Sequence, residues 1–213
     1  ASDAKPSFPF LCLTVSGGHT QIVQVNSALD MQVIGSTIDD AAGEAFDKAA
    51  KMLGLPYPGG PLIDQYAQLG NPNAFEFAKP QIKDLDFSFS GLKTSILYTL
   101  QAAEKLEPNL RQDKRNDLCA TIQNSIVSIL MAKLEKAVKA TGIKTVTIAG
   151  GVSANSELRK RLLLKKERGW KVSIPKMSYC TDNAAMIAMA GSFYLALGHT
   201  VGQDVAADPR LKW

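Results

Sequence analysis

The segment Thr14-Val15-Ser16-Gly17-Gly18-His19-Thr20 constrains this chain more than any other. An apolar run, Phe10-Leu11-Cys12-Leu13, leads into it, and a strand-like run, Gln21-Ile22-Val23-Gln24-Val25, leaves it. Strand, glycine pair, strand predicts a hairpin whose turn lets the backbone approach a ligand closely. Adjacent glycines lack a Cβ and tolerate positive φ, so successive N–H groups can converge on an anion. Ser16, His19 and Thr20 place hydroxyl and imidazole groups beside the turn. Taken alone, the segment reads equally well as an ordinary Gly-Gly hairpin, and two later glycine-rich segments decide between the readings.

Further along, residues 31–38 predict a third strand, and Asp39-Asp40 offer carboxylates to the start of a helix over 41–53. Ala42, Phe46, Ala49 and Leu53 share one face of that helix, while Glu44, Asp47, Lys48 and Lys51 form a polar stripe with a Glu44–Lys48 pair. Pro56-Tyr57-Pro58-Gly59-Gly60-Pro61 ends it, and Pro61 fits the first position of the next helix, through Leu69. After an irregular stretch over 71–87, Ser90 is the expected cap of a helix ending near Lys105. Lys93 would fall in that helix's first turn, where the dipole disfavours a cation without an anion nearby.

Residues 111–140 predict one long amphipathic helix with Leu118, Ile122, Ile126, Leu130 and Leu134 on a single stripe. The buried strand over 144–149 runs into Gly150-Gly151-Val152-Ser153-Ala154-Asn155, and a helix begins near Ser156. Strand, glycine pair and helix N-terminus together suit a nucleotide lying against free backbone amides. Asn155 reads as a helix cap or as a base or ribose contact. Arg159, Lys160, Arg161, Lys165, Lys166, Arg168 and Lys171 make the densest basic cluster, a solvated face or an attraction for a phosphate backbone. A strand over 171–174 comes next, then a helix over 184–197 capped by Gly198, with Asp182 as a candidate N-cap.

Composition narrows the class. With 213 residues, 46% hydrophobic and 21% charged, the chain is globular. A net charge of +4 permits a nucleic-acid partner without indicating one. Cys12, Cys119 and Cys180 are odd in number and widely spaced, which predicts neither zinc nor a disulfide framework and favours a reducing compartment. Residues 1–9 read as a linker without signal-peptide character. The apolar stretch over 184–197 falls short of the roughly 20 residues of a membrane helix. A cytoplasmic protein without a membrane partner is expected.

Three strands, then helices, then strand-helix-strand-helix make an α/β chain. With its two glycine loops it resembles the actin, Hsp70 and sugar-kinase architecture, a nucleotide-binding lobe of ribonuclease H-like topology. Within it, residues 10–70 hold the hairpin, phosphate loop and first helices, 71–143 the helical part, 144–198 the strand-Gly-Gly-helix part, and 199–213 a tail.

A closer resemblance rests on six segments in order. They are VSGGHT at 15–20, DDAAGEAFDK at 39–48, YPGGP at 57–61, FSFSGLKT at 87–94, GGVSAN at 150–155 and TDNAAMI at 181–187. Together they resemble the universal tRNA threonylcarbamoyladenosine-forming transferase family, also called the glycoprotease or O-sialoglycoprotein endopeptidase family. The resemblance implies transfer of a threonylcarbamoyl group from threonylcarbamoyl-AMP to the adenosine 3′ of the anticodon in tRNAs reading ANN codons. It implies a substrate-binding loop of Thr14, Val15, Ser16, Gly17 and Gly18, and a nucleoside pocket with Asp47, Gly60 and Asp64. Asn155 would approach the adenine. Asp182 would be one ligand of a divalent metal, iron or zinc, whose two further ligands are histidines upstream of the first glycine loop.

Only His19 and His199 are present. The chain is therefore expected to lack an N-terminal lobe, to be inactive alone, to bind nucleotide weakly, and to fold as a compact domain or dimerise through the apolar surface left exposed. Implied partners are a paralogous protein of the same fold and a small P-loop ATPase. Two competing readings are a small-molecule kinase of the same superfamily, with Asp39 or Asp40 as its catalytic carboxylate, and a non-catalytic scaffold. The protease reading has no His-Glu-x-x-His and no nucleophile pair.

Overall fold

The computed structural model describes residues 6–78, 80 and 82–206. The start of the expected linker, residues 1–5, and the end of the expected tail, residues 207–213, lie outside these. Strict alternation of buried and partly buried residues makes a strand of β1 (Phe10–Val15), with Leu11, Leu13 and Val15 facing the core. It pairs antiparallel with β2 (Thr20–Ser27), from Phe10 opposite Val25 to Val15 opposite Thr20. β2 in turn pairs antiparallel with β3 (Asp30–Ser36). On its other side β1 pairs parallel with β4 (Thr145–Ala149), Leu11 opposite Val146, and β4 pairs parallel with β5 (Lys171–Ser173). The sheet order is β3-β2-β1-β4-β5. Both glycine loops thus leave the sheet from the carboxyl ends of adjacent parallel strands.

The helices are α1 (Ala42–Met52), α2 (Gly59–Ala67), α3 (Ser90–Glu104), α4 (Leu110–Asp113), α5 (Arg115–Thr141), α6 (Ser156–Leu164) and α7 (Ala184–Ala196). The predicted stripe of α5 is fully buried and joins β1, β4, α1, α2 and α6 in one apolar core. The long helix expected over 111–140 is instead broken at Lys114, whose φ of −110° and ψ of 21° leave the helical region. The break turns Leu110 into the core and lets Arg111 pair with Glu104 of α3. Gly142 ends α5 with φ 72°, its N–H donating to the Val138 carbonyl at 2.9 Å.

α7 differs from the rest. It carries no charged residue and buries none of its side chains, leaving Ile187 and Leu195 about 70% and 68% exposed. No helix among the described residues is long and apolar enough to cross a membrane.

Two close approaches hold the glycine loops in place. Gly150 has φ 88°, and a Cβ there would lie 2.3 Å from the Val15 carbonyl oxygen. Gly43 would place a Cβ 2.6 Å from the Ser16 carbonyl oxygen. Gly17, by contrast, faces open space. Gly150→Ala is therefore expected to cost about 2 kcal/mol or more, combining a strained φ with backbone overlap. Gly17→Ala is expected to stay within about 0.5 kcal/mol of the parent. Urea unfolding of the two variants side by side measures the contrast.

Candidate functional site

The first loop is tighter than the glycine pair alone suggests. The Ser16 N–H donates to the His19 carbonyl at 2.8 Å, and the Ser16 hydroxyl accepts from the His19 and Gly18 amides at 3.0 and 3.3 Å. Neither Gly17 nor Gly18 adopts positive φ. The expected convergence of both amides is thus corrected: Gly18 is tied to Ser16, while Gly17 N–H takes no partner among the described residues. Across from it, the Gly151 and Val152 amides open a 3₁₀ turn (Gly151–Ala154) and also lack partners among the described residues.

Three helices around these loops have N-termini held by acidic residues from other elements. Asp47 of α1 accepts from the Gly59 and Gly60 amides at 2.8 and 3.3 Å. That carboxylate starts α2 two residues before Pro61, which becomes its third residue rather than its first. Asp64 of α2 accepts from the Ser156 amide at 3.0 Å and from the Ser156 hydroxyl, at the start of α6. Asp39 accepts from the Phe89 amide at 2.8 Å, from the Ser90 hydroxyl at 2.7 Å and from the Ser88 hydroxyl. Asp39 therefore serves α3, not the helix that follows it. Ser90 is the first residue of α3 and donates to Asp39 instead of capping.

α1 is started by Thr20, whose hydroxyl accepts the Ala42 amide at 2.8 Å, and by the Ser16 carbonyl, which accepts Gly43 N–H at 3.1 Å. Asp40 pairs with Lys48 at 2.8 Å and faces Lys93 at 3.8 Å, which supplies the anion that a cation in the first turn of α3 needs. The Glu44–Lys48 pair forms at 2.8 Å. Asp39 and Asp40 are both engaged in these contacts, and neither lines the cavity between the glycine loops.

That cavity has a volume of about 600 Å³. Gly17, Asp47, Gly60, Asp64 and Asn155 all line it, joined by Gly43, Gly151 and Val152. Phe46, Tyr57, Pro61 and Met177 add apolar wall, and Thr181 closes one side. Thr14 and Val15 lie outside, in β1, and the Val15 side chain is buried in the core. Ser16 and Gly18 shape the loop without lining the cavity. Asn155 is the N-cap of α6, accepting the Leu158 amide at 3.0 Å, and it also faces the cavity. Gly43, Gly151 and Val152 sit within the DDAAGEAFDK and GGVSAN segments, whereas nothing in the local sequence marked Met177.

Asp182 is exposed, and Asn183 rather than Asp182 caps α7, accepting the Met186 amide at 3.0 Å. Among the described residues no group of three His, Cys, Asp or Glu side chains is placed to hold a metal ion. Asp182 by itself supplies one carboxylate, too few ligands to hold a metal ion without others. Burial pushes the Cys12 thiol up to about 11 and the Cys119 thiol up to about 12, so both stay protonated at neutral pH.

The basic cluster divides. Arg159 donates to the Ser153 carbonyl at 2.7 Å, the Pro175 carbonyl at 2.8 Å and the Cys180 sulfur at 3.1 Å. Arg161 holds Glu157, Ser128 and Asn124. Lys165 pairs with Glu135 at 2.6 Å and lies over the Trp170 ring. These three brace the fold. Lys160, 73% exposed with Glu157 3.8 Å away, points outward.

A mixed 3-2-1-4-5 sheet, with two glycine loops opening on one cavity, defines an α/β lobe of the actin, Hsp70 and sugar-kinase class. The structure described as full-length HypF in the phosphate- and nucleotide-bound form shares the fold. Its TM-score is 0.65 at 13% identity, over 89% of this chain and 33% of HypF. Residues 1–189 match the TsaD family, tRNA N6-adenosine threonylcarbamoyltransferase, and the chain belongs to it. A tRNA N6-adenosine threonylcarbamoyltransferase of Cytophaga hutchinsonii is 53% identical over 99% of this chain and 62% of its own length. That of Christiangramia forsetii is 60% identical over 88% of this chain and 55% of its own length. The chain thus spans about three-fifths of the curated relatives it matches.

Asp64→Ala removes the acceptor at the start of α6 and is expected to lower stability by about 1 kcal/mol in urea unfolding, with Asp64→Asn losing less. Asp39 gives a pH signature. Partial burial pushes its carboxyl up, but the donors from Ser88, Phe89 and Ser90 outweigh this and leave it below its ordinary 3.8. A carboxyl lowered on folding stabilises the protein above its unfolded value and loses that contribution as pH falls through the folded value. Wild type should therefore lose stability below pH 3.8 more steeply than Asp39→Asn, read as the difference between their urea midpoints across that range.

Proposed function

We propose that this chain carries the nucleotide-binding part of a tRNA N6-adenosine threonylcarbamoyltransferase. Its substrate would be the mixed anhydride threonylcarbamoyl-AMP, and its acceptor the adenosine 3′ of the anticodon in tRNAs reading ANN codons. The single observation that carries the reading is the gathering on one cavity of Gly17, Asp47, Gly60 and Asn155, from four separate segments of the chain, together with Asp64. A volume of about 600 Å³ is of the size that takes a nucleotide-scale ligand.

In this reading the phosphate lies against the unpartnered Gly17 and Gly151 amides. Asp47 and Asp64, already fixed by helix amides, turn their remaining lone pairs to the ribose hydroxyls. Phe46, Pro61, Val152 and Met177 exclude water from the base and the anhydride. The N6 amine attacks the carbamoyl carbon, forming the N–C bond. The C–O bond to phosphate then breaks, AMP leaves with the electron pair, and the amine gives up a proton. As that bond breaks, charge grows on the phosphate, where preformed N–H donors stabilise it most. Holding the two reactants in line supplies the rest.

The reading includes a divalent metal, iron or zinc, with Asp182 as one ligand and two from outside this chain. It also includes a cytoplasmic setting, a paralogous partner of the same fold and a small P-loop ATPase. Exposed cations such as Lys160 would meet tRNA phosphates.

The test is transfer of radiolabelled threonine from threonylcarbamoyl-AMP to unmodified tRNA, with the partner proteins present. It is run on this chain alone and on this chain joined to the remaining length of its relatives. Transfer only in the joined form is expected. Transfer by this chain alone would overturn the need for metal ligands from elsewhere, and silence in both would overturn the transferase reading.

A further inference from the structure

Asn155 is held at both ends of its amide. Its Oδ1 accepts the Leu158 N–H at 3.0 Å, and its Nδ2 donates to Gln123 Oε1 at 2.7 Å. Leu158 N–H can only donate, so the oxygen of the Asn155 amide must face α6 and the nitrogen must face away from it. Gln123 then takes one of the two Nδ2 protons. Asn155 is 8% exposed and lines the large cavity. Gln123, on α5 and 5% exposed, does not line that cavity and instead borders a separate one of about 420 Å³. Its hydrogen bond to Asn155 is what links it to the large cavity.

We propose that Gln123 is a positioning residue for base recognition: it fixes the Asn155 amide so that the second Nδ2 proton is presented to a ring-nitrogen acceptor of a purine. The proposal rests on the nucleotide reading of the cavity and adds to it the polarity of the base contact and the residue that sets it. An amide anchored by the α6 cap alone can still swing about that one hydrogen bond and give both Nδ2 protons to other acceptors. Anchored at two points, it keeps one donor aimed at the base. Loss of the second anchor also leaves a buried donor without its acceptor, and that donor is then better satisfied by turning away from the ligand.

The test separates base from phosphate and ribose. Affinities of the 213-residue chain for AMP and for ribose 5-phosphate are measured by NMR titration in wild type, Gln123→Met and Gln123→Glu. Methionine keeps the shape and removes the acceptor, while glutamate keeps an acceptor. The ratio of AMP to ribose 5-phosphate affinity is expected to fall about tenfold in Gln123→Met, the worth of one hydrogen bond, with ribose 5-phosphate binding unchanged. Gln123→Glu is expected to hold the wild-type ratio. A purely structural role for Gln123 would move both ligands together. An unchanged ratio in Gln123→Met, or a lost one in Gln123→Glu, would overturn the proposal while leaving the nucleotide site standing. Failure of wild type to bind either ligand would overturn the nucleotide reading itself.

Discussion

A helix that begins inside a protein exposes amides that no turn of its own can satisfy, and the site is organised around answering that need. Asp47 answers for α2, Asp64 for α6, Asp39 for α3, and Thr20 with the Ser16 carbonyl for α1. Each acceptor comes from a different element than the helix it serves. The capping contacts therefore act as cross-braces, tying hairpin to α1, α1 to α2, and α2 to α6. Removing one loosens two elements at once.

These braces also bear on the proposed nucleotide site, where carboxylates would sit close to a phosphate. An isolated acidic residue there would repel a phosphate. Asp47 and Asp64 instead face helix amides, whose partial positive charge offsets theirs. Their orientation is fixed before any ligand arrives, which lowers the ordering cost of binding. Ser16 plays a similar part in the first loop by occupying the Gly18 and His19 amides, while Gly17 N–H has no partner among the described residues.

Much of this was legible in the sequence because the signals were local. The hairpin around Gly17-Gly18, the strand running into Gly150-Gly151 and the four-residue spacing from Leu118 to Leu134 follow from pattern alone. The hairpin and strand form close to their expected bounds, and the stripe lies within α5, though the pattern does not reveal the break at Lys114. What escaped was non-local. Nothing near Ser90 or Pro61 reveals that Asp39 or Asp47 stands at the neighbouring helix start, so a local cap and a proline start were expected. Charge density on α6 suggested one basic surface. Side-chain reach decided otherwise, because Arg159 and Arg161 turn inward to carbonyls, a sulfur and an amide. Met177 reaches the cavity only through the path of the chain after β5.

The pairing of β1 with β4 has a further consequence, for the order of events in folding. Leu11 lies opposite Val146, so the central ladder joins segments separated by most of the chain, and closing so large a loop is slow. The β1-β2-β3 meander needs only its own neighbours and can form on its own timescale. Because the two glycine loops meet only across the β1–β4 seam, no partly folded state that has made the meander alone possesses the cavity. A ligand held there recognises the finished sheet, and its binding energy pulls the equilibrium toward that last pairing.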